Sequence, residues 1–446
     1  MIRAGDKRWV LGGGASGLAA ARLLVRERAS VTVLDRGTPA SLDPWHDLPV
    51  DLQWRATNLP VEQPDLVLVS PGIPADSPWL LDLHARGVPC IAELELGWHY
   101  RTGRCVAVTG SSGKSTMVKW MAEAWNHAGV SAVPCGNYGI PLSDVALLAS
   151  PPEVMVAEVS SFQLETVQQF TPDAGVLLNL HPNHLDRHQS LERYAAAKLR
   201  LFAGMNDQQV AAVHAPWLAS ARASGGHPSR WISFGQEVGG DAWLADGQVW
   251  LDGQQFLDLR ETPFARPPLG VNACGIASVA AALGLPPESL RAAAESFVPL
   301  PHRMEPVGTV DGVAFINDSK ATTLTALAAA VEQAEGPVHL IAGGLLKESD
   351  PVRILPVLAD RCRGIYLIGQ AAKPLASAWN SRATCYDCQE LDPAIELAVE
   401  RAQPGEVILL SPGCASFDQF EGYHHRGEVF RQRVWRLSEE KRNATT

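Results

Sequence analysis

The sequence lacks features of membrane and nucleic-acid-binding proteins. No apolar run reaches about 18 residues, so no membrane-spanning helix is expected. The apolar stretch near the N-terminus is interrupted by the glycines at 12–14 and by Arg22, and no clean cleavage site follows, which argues against a signal peptide. The formal net charge of -11 argues against general binding to nucleic acid or anionic membranes. We therefore expect a cytoplasmic protein with small-molecule partners.

Cysteine is sparse and scattered. The eight cysteines stand singly in a large chain, so a disulfide framework is not expected. Only Cys385 and Cys388 form a C-x-x-C pair, which can be half of a zinc site or a redox pair. Neither a second pair nor a His-x-x-x-His partner lies near them in sequence. The favoured interpretation is two unrelated thiols.

The 446 residues are enough for two to four domains, and 46% hydrophobic content is ordinary for a globular enzyme. Residues 1–97 contain the short apolar runs "RWVLGG", "SVTVLD" and "DLVLVSPGIP", which are typical of parallel strands with binding loops at their carboxyl ends. Residues 98–300 begin with strand, glycine loop and helix, and include "AWLADGQVWLDGQQFLDL", a β-meander with two Asp-Gly turns. Residues 301–446 begin with the hairpin "GTVDGVAFIND" and continue as α/β. The prediction is three α/β domains in series.

The first glycine motif is ambiguous. Gly12, Gly14 and Gly17 fit G-x-G-x-x-G, and Asp35 follows 18 residues after the last glycine, as in dinucleotide-binding folds. However, a second phosphate loop begins only 92 residues after Gly17, which leaves room for one small nucleotide half. Because a helix N-terminus binds any pyrophosphate, a UDP-linked substrate fits this motif as well as NAD or FAD.

The second glycine motif is stronger. The stretch "TGSSGKST", residues 109–116, follows a strand and opens a helix, although Val108 stands where the first glycine of the phosphate-loop pattern belongs. Lys114 would neutralise phosphate oxygens, and the Ser115 hydroxyl would bind Mg²⁺. Glu158, at the end of the strand in "VAEVSS", is suited to the same metal. The alternative is an accidental Gly-Lys-Ser at a helix start.

Further polar clusters follow the loop. "NLHPNHLDRHQSLERYAAAKLRLF" places His184 after a strand and Lys198 on a helix, where a solvated lysine is the simple alternative. "PLPHRMEPV" and "FINDSKATT" supply His302, Arg303 and Asp318 beside the domain boundary. These three residues suit nucleotide contacts, and an interdomain ion pair is the alternative.

Eight stretches together form a pattern of a known family: "SPGIP", "VTGSSGKST", "GNYGIP", "VSSFQLE", "NHLDRHQSLERYAAAK", "LPHRME", "NDSKAT" and "LLSPGCASFDQF". They extend over residues 105–420, with "SPGIP" in the first domain. On these stretches the chain resembles the Mur ligases of peptidoglycan synthesis, most closely their glutamate-adding branch. The combination is far more specific than either loop alone.

The resemblance implies a Rossmann-like UDP-substrate domain, a central P-loop ATPase domain and a Rossmann-like amino-acid domain. It implies that ATP activates the carboxylate of UDP-N-acetylmuramoyl-L-alanine as an acyl phosphate, which glutamate, in its D form, then attacks. It also implies two Mg²⁺ ions, a carbamylated Lys198 and a monomer.

The implied site residues fall into five groups, some of which share members. The catalytic group is Lys114, Asn137, Glu158, His184 and Lys198, and the metal group is Ser115, Glu158, His184 and Lys198. The ATP group is Gly110, Ser111, Ser112, Gly113, Lys114, Ser115, Thr116, Asn272, His302, Arg303 and Asp318. The UDP-substrate group is Gly14, Ala15, Ser16, Asp35, Arg36, Ser70, Pro71 and Gly72. The amino-acid group is Thr322, Lys347, Ser416, Phe417 and Tyr423.

Departures from the family pattern leave alternatives open. Val271 and Gly275 replace a histidine and an asparagine on the adenine side, and Asn183 stands where aspartate is common. Leu345 and Leu346 replace an Asp-Gly pair beside Lys347, so a ligase for L-glutamate or another amino acid is the nearest alternative. A non-catalytic nucleotide-binding protein is disfavoured by the retained site residues, and a dinucleotide oxidoreductase by domain length.

Overall fold

The structure, a computed structural model, describes residues 3–39, 41–236, 239–348 and 350–445. The chain divides into two compact units, Met1–Phe297 and Val298–Thr446. The described strands form a five-stranded and a nine-stranded sheet in the first unit and a six-stranded sheet in the second. The prediction of a three-part α/β architecture is confirmed. A boundary at residue 97, between the two sheets of the first unit, stays a prediction.

The five-stranded sheet has the order β3-β2-β1-β4-β5, and every neighbouring pair is parallel. Its elements are β1 (Lys7–Leu11), α1 (Ala15–Arg26), β2 (Ser30–Asp35), β3 (Asp51–Trp54), β4 (Leu66–Val69), α2 (Pro78–Ala85), β5 (Cys90–Ala92) and α3 (Glu93–His99). Because the strands are parallel, the loops after β1, β2 and β4 meet at one edge. The glycine motif, Asp35 and "SPGIP" are therefore brought together.

The nine-stranded sheet has the order β14-β13-β12-β11-β10-β9-β6-β8-β7. Its strands are β6 (Arg104–Thr109), β7 (Ala132–Gly136), β8 (Val154–Glu158), β9 (Ala174–Leu177), β10 (Val210–His214), β11 (Arg230–Gly235), β12 (Ala242–Ala245), β13 (Gln248–Leu251) and β14 (Gln254–Asp258). The predicted meander is confirmed, since β12, β13 and β14 are antiparallel neighbours. Both of its Asp-Gly turns have positive φ at each residue, as tight hairpins require.

Helices cover both faces of this sheet. They are α4 (Lys114–His127), α5 (Leu142–Val145), α6 (Ser161–Leu164), α7 (Leu185–His188), α8 (Leu191–Ala203), α9 (Leu218–Arg222), α10 (Leu269–Ala282) and α11 (Pro287–Glu295). One buried cluster lies under α4, α10 and α11, and a second lies under α5 and α8. The sheet is thus buried on two sides, and its carboxyl edge carries the polar loops.

The second unit has the strand order β15-β16-β20-β17-β18-β19. Its elements are β15 (Glu305–Val310), β16 (Val313–Asn317), α12 (Leu324–Gln333), β17 (Val338–Gly343), α13 (Leu355–Arg361), β18 (Cys362–Ile368), α14 (Ala372–Trp379), β19 (Cys385–Gln389), α15 (Leu391–Arg401), β20 (Val407–Leu410) and α16 (Tyr423–Thr445). Only β15 of these strands runs antiparallel to its neighbour. Cys385 and Cys388 lie on the edge strand as free thiols. Among the described helices, none is both long and apolar enough to cross a bilayer.

Candidate active site

The phosphate loop, residues 110–113, joins β6 to α4 at the carboxyl edge of the nine-stranded sheet. Gly110 has φ 151° and Gly113 has φ 79°, in the region that favours glycine. A Cβ at Gly113 would lie 2.5 Å from the Asn272 side chain, so this glycine is also required for close packing. Val108 is fully buried inside β6, between Glu158 and Val176 of the neighbouring strands. The turn therefore begins at Gly110, and valine is compatible with this position.

Asn179, just after β9, holds the loop in shape. Its Oδ1 accepts hydrogen bonds from the backbone N–H groups of Ser111 and Ser112 at 3.1 and 2.9 Å. Its Nδ2 donates to the Ser112 carbonyl and to Asn272 Oδ1, both at 3.1 Å. Asn272, predicted to bind ATP, is thus placed against the loop. Sequence reasoning missed Asn179, although a polar residue directly after the buried run "AGVLL" is a usable signal.

The residues that open α4 face a carboxylate. Lys114 Nζ donates to the carbonyls of Gly110 and Ser111 at 2.8 and 3.1 Å, so its charge lies over the loop. The buried Ser115 hydroxyl donates to Glu158 Oε2. Asn137 Nδ2 donates to Glu158 Oε1 at 2.6 Å. Three predicted site residues, Ser115, Glu158 and Asn137, therefore form one hydrogen-bonded group.

Lys198 lies beneath this group rather than in solvent. Its side chain is on α8, the residue is 1% exposed, and Nζ donates to Thr109 Oγ1 at 3.2 Å. Burial, reinforced by the charge of Lys114, lowers the pKa of Lys198 well below its ordinary value. The alternative of a solvated helix lysine is wrong. The site favours a neutral amine at this position.

Tyr194 contacts both the phosphate loop and Lys198, and His184 lies beside it. His184 is exposed, precedes α7 with φ 53°, and its ring meets Phe162 edge-on at 4.8 Å. The Tyr194 hydroxyl lies 3.1 Å from Ser111 Oγ, and its ring is 4.8 Å from Lys198 Nζ and 6.4 Å from the His184 ring. Burial raises the pKa of Tyr194 to about 12, so it stays a phenol. Sequence reasoning did not single out Tyr194, which connects the histidine to the lysine.

The donor set of this site fits a nucleotide-bound Mg²⁺. Mg²⁺ prefers one or two carboxylates together with phosphate and water oxygens, and Ser115 and Glu158 offer a hydroxyl and a carboxylate beside the loop. Within the described parts of the chain, no group of three His, Cys, Asp or Glu residues could hold a metal by itself. The Ser115 hydroxyl and the Glu158 carboxylate suit a metal whose remaining ligands come from a nucleotide and water.

A cavity of about 270 Å³ lies at the carboxyl edge of the five-stranded sheet. Its lining includes the predicted residues Asp35, Arg36 and Gly72. The Asp35 carboxylate accepts from the N–H groups of Gly13 and Gly37 at 2.6 and 2.7 Å. The lining residues that sequence reasoning missed are Ile73, Pro74, Ser77 and Trp79.

The other predicted UDP-substrate residues, Gly14, Ala15, Ser16, Ser70 and Pro71, do not line this cavity, although they are close in sequence to Gly12 and Gly72, which do. Gly14 caps α1, and Ala15 and Ser16 form its first turn. Ser70 Oγ donates to the Gly12 carbonyl at 3.1 Å, which joins the two loops. The Pro71 carbonyl accepts a hydrogen bond from Arg187.

In the second unit, Asp318 and His302 lie where β16 ends. Asp318 Oδ2 accepts from Ser411 Oγ at 2.9 Å, and Oδ1 accepts from the Met304 N–H at 3.1 Å. Burial raises the pKa of Asp318 to about 7, while nearby Arg303 acts in the opposite direction. His302 Nδ1 lies 2.9 Å from Asn317 Nδ2, and this hydrogen bond fixes the orientation of the imidazole ring. The structure thus gathers His302, Arg303 and Asp318.

The predicted amino-acid residues follow three adjacent strands of the same unit. Thr322 follows β16, Lys347 follows β17, and Ser416 and Phe417 follow β20. Ser416 is buried, whereas Lys347 and Phe417 are exposed. Tyr423 begins α16, and its ring is 5.1 Å from Lys320 Nζ.

Arg426, which sequence reasoning missed, ties these loops together. It is 1% exposed and donates to the carbonyls of Ser319 and Cys414 at 2.8 and 3.2 Å. Leu345 forms a short antiparallel bridge with Ala415, and Leu346 packs against the core of the unit. The two leucines that depart from the family pattern therefore serve a backbone contact and the core.

The site combines a phosphate loop, a hydroxyl–carboxylate pair and a buried lysine, and a ligand cavity lies on the five-stranded sheet. These features define an enzyme that uses a nucleoside triphosphate on a bound second substrate. Comparisons with known proteins show the family to which this enzyme belongs. Family models match the chain as "Mur ligase MurD-like, N-terminal domain" over residues 6–92, "Mur ligase middle domain" over 108–280 and "Mur ligase, glutamate ligase domain" over 302–414. The chain belongs to the Mur ligase family, whose members are ATP-dependent amide ligases of peptidoglycan precursor synthesis.

Relatives match nearly end to end. The chain is 36% identical to the UDP-N-acetylmuramoylalanine–D-glutamate ligase of Acidobacterium capsulatum, with 96% of each chain covered. It is 35% identical to the enzyme of that name from Pelotomaculum thermopropionicum, covering 96% of this chain and 97% of the relative.

Solved structures share the fold. The UDP-N-acetylmuramate–alanine ligase of Thermotoga maritima matches with TM-score 0.61 at 17% identity, over 96% of this chain and 99% of the other. The MurF ligase of the same organism, solved with ADP, matches with TM-score 0.61 at 18% identity, over 100% and 96%.

Proposed function

We propose that this enzyme joins D-glutamate to UDP-N-acetylmuramoyl-L-alanine, with ATP cleaved to ADP and phosphate, in cytoplasmic precursor synthesis. The observation that carries the proposal is the cluster of Lys114, Ser115, Glu158 and Asn137 at the phosphate loop, with Lys198 buried below it. The names of full-length relatives support the choice of substrates.

The chemistry needs this cluster. A carboxylate does not react with an amine unaided, because oxide is a poor leaving group. Attack of the alanyl carboxylate on the γ-phosphorus of ATP breaks the bond to the bridging oxygen, which gives an acyl phosphate and releases ADP. The amine of glutamate then attacks the acyl carbon, displaces phosphate and loses a proton. Two anions must approach each other in the first step, so positive charge is required beside the transferred group. Lys114 supplies that charge, and the Asn137 amide can donate to the reacting carboxylate.

Ser115 and Glu158 would hold one Mg²⁺, and His184 with a modified Lys198 would serve a second. When bound, Mg²⁺ would neutralise phosphate oxygens and stabilise charge in the transition state. As an ammonium, Lys198 would repel such ions. Its burial favours the neutral amine, which can attack CO₂ to give a carbamate and release a proton. Carbamylation would thus turn a cation into an oxygen ligand.

The UDP part of the substrate would lie in the cavity of the five-stranded sheet. The N-terminus of α1, with Gly14, Ala15 and Ser16, offers backbone N–H groups and a positive dipole to a diphosphate. Arg36 adds a cation at the cavity wall. This sheet has room for one nucleotide half, so the UDP-linked substrate is favoured over a dinucleotide.

Glutamate would bind in the second unit. Lys347 would pair with its side-chain carboxylate, and Ser416 and Thr322 would add hydroxyl donors. A charge-assisted pair is roughly twice as strong as a neutral hydrogen bond. Lys347→Ala should therefore raise the KM for glutamate by about tenfold and leave the KM values for ATP and the UDP substrate within about twofold.

The test is phosphate release with purified protein. Release should require ATP, Mg²⁺, UDP-N-acetylmuramoyl-L-alanine and D-glutamate together, and omission of any one should abolish it. Parallel assays with L-glutamate and D-aspartate test the acceptor. A higher kcat/KM for L-glutamate would overturn the D assignment, and turnover without the UDP substrate would overturn the proposal.

A further inference from the structure

Arg187 connects three sequence motifs that are far apart in the chain. It lies on α7 in "NHLDRH", three residues after His184. Its Nη1 donates to the Pro71 carbonyl at 2.8 Å, and its Nη2 donates to the Ile73 carbonyl at 3.0 Å. Both carbonyls belong to the substrate loop, residues 70–74, on the five-stranded sheet. One guanidinium thus joins that loop to the edge of the nine-stranded sheet.

The guanidinium is fixed from its other side by "SSFQLE". Arg187 Nε donates to both oxygens of Glu165 at 3.2 Å, and Nη2 also donates to Glu165. The Phe162 ring lies under the guanidinium, with its centroid 4.2 Å from Cζ. Each partner of the ion pair keeps only 13% of its side chain exposed. A largely buried, bidentate pair of this kind has little freedom to move.

The cluster of Arg187, Glu165 and Phe162 also contacts the turn that carries His184. The helix α7 is a single turn, flanked by His184 with φ 53° and Gln189 with φ 67°. Left-handed geometry is unfavourable for a non-glycine residue, so such a turn needs external support. The His184 ring packs edge-on against Phe162, the ring that Arg187 covers. Glu165 also faces His188 Nδ1 at 3.5 Å. The orientation of the turn therefore depends on the Arg187–Glu165 pair.

We propose that Arg187, held by Glu165, is a positioning residue that fixes the substrate loop relative to His184. It would thereby set where the UDP-linked substrate lies with respect to the phosphate loop. The inference rests on the proposed function, because it assigns the substrate loop to the UDP-linked substrate. Arg187 itself need not touch the substrate, since its donors already serve two carbonyls and a carboxylate.

Only arginine suits this role. Its planar fork donates to two carbonyls on one side and to a carboxylate on the other in a fixed geometry, whereas a lysine ammonium is a point charge on a flexible stem. Arg187→Lys should keep the ion pair with Glu165 and lose at least one carbonyl of the substrate loop. Arg187→Met should keep contact with Phe162 and lose every polar link.

The test measures binding of UDP-N-acetylmuramoyl-L-alanine by calorimetry without ATP or Mg²⁺. Arg187→Met should raise its Kd at least tenfold, Arg187→Lys about threefold, and Glu165→Gln about threefold. The Kd for a non-hydrolysable ATP analogue, measured separately with Mg²⁺, should stay within twofold in all three. Arg193→Met is the matched control, because Arg193 is an exposed arginine nearby that contacts Gln189. It should leave both values unchanged.

The outcomes are separable. If the wild-type enzyme does not bind the UDP-linked substrate, the proposed function fails. If the wild type binds and the Arg187 and Glu165 variants bind equally well, the positioning role is overturned, even when their thermal stability falls. If Arg187→Met does not fold, Arg187→Lys and Glu165→Gln decide, since both keep charge or shape at the cluster.

Discussion

Two glycine loops of the first unit have the same local plan and different carboxylate environments. The loops are residues 12–14 and residues 110–113. Each loop follows a central parallel strand and leads into a helix, and each lies beside an acidic residue at the end of a neighbouring strand. In the first loop, Asp35 binds the backbone N–H groups of Gly13 and Gly37. In the second, Glu158 binds the side chains of Ser115 and Asn137.

We interpret the different partners of the two carboxylates as a division between a loop for substrate recognition and a loop for the reaction. A carboxylate bound to backbone N–H groups shapes a loop and keeps that shape when a ligand enters. A carboxylate bound to a hydroxyl and an amide can exchange those partners for a metal ion and a substrate. The cations differ as well, since Lys114 lies over its own loop, whereas Arg36 stacks 5.0 Å above the Trp79 ring. We therefore expect the first loop to bind substrate and the second to take part in the reaction.

The largest effect is expected at Lys114. Lys114→Met removes the charge that we propose lies beside the transferred phosphoryl group, which should lower kcat by about a thousandfold. The Kd for the UDP substrate, measured without ATP, should be unchanged, because we propose that this substrate binds at the other loop. Lys119→Gln is the control on the same helix, where Lys119 pairs with Glu123. Near-native kcat in Lys114→Met would remove the chemical role of the phosphate loop.

Lys198 should come next. Lys198→Ala should lower kcat more than a hundredfold, because it removes both the buried amine and the oxygen ligand that the carbamate would supply. Short carboxylic acids should restore part of the activity. A carbamate carbon should appear in ¹³C NMR spectra after incubation with labelled bicarbonate and be missing in the variant. No labelled signal, together with no rescue, would exclude carbamylation.

Two matched amide variants test the proposed division of roles between the two glycine loops. Glu158→Gln keeps the shape of the side chain but removes the charge for Mg²⁺, so kcat should fall about a hundredfold while the Kd for the UDP substrate holds. Asp35→Asn leaves one loop N–H without an oxygen acceptor, at a cost of about 1–3 kcal/mol. That variant should raise the KM for the UDP substrate about tenfold and keep kcat within about threefold. A fall in kcat of equal size in both variants would contradict the division of roles.

The sequence was sufficient to predict what depends on local pattern. A strand, glycine loop and helix at residues 105–127, and a carboxylate at the end of β8, follow from hydrophobic runs and the phosphate-loop spacing. The tight turns of the meander follow from two Asp-Gly pairs. Such features depend on neighbours in sequence, where steric and hydrogen-bonding preferences apply directly.

What the sequence did not reveal depends on distant partners. Asn179 binds the phosphate loop from 67 and 68 residues away, and Tyr194 reaches Ser111 over 83 residues. Arg187 contacts Pro71 across 116 residues. A local pattern can indicate that a residue such as Asn179 lies at a strand end, but it does not identify the distant partner, because only the strand order brings the two together. Trp79 was not predicted as a site residue, because a tryptophan on an apolar helix is usually part of a hydrophobic core.

The smallest effect is expected at Trp79, whose ring lines the cavity of the first loop and is 5% exposed. A cation over a tryptophan ring is stabilised by about 1 kcal/mol when partly desolvated, equivalent to about fivefold in binding. Trp79→Leu should thus free Arg36 and raise the KM for the UDP substrate about fivefold, whereas Trp79→Phe keeps a ring and should stay within about twofold. The KM for ATP should not change in either variant. Trp243→Leu, on the meander, is the control for loss of a half-buried tryptophan. Equal KM values in the leucine and phenylalanine variants would mean that Trp79 only fills space, and Arg36 would then owe its position to the loop backbone alone.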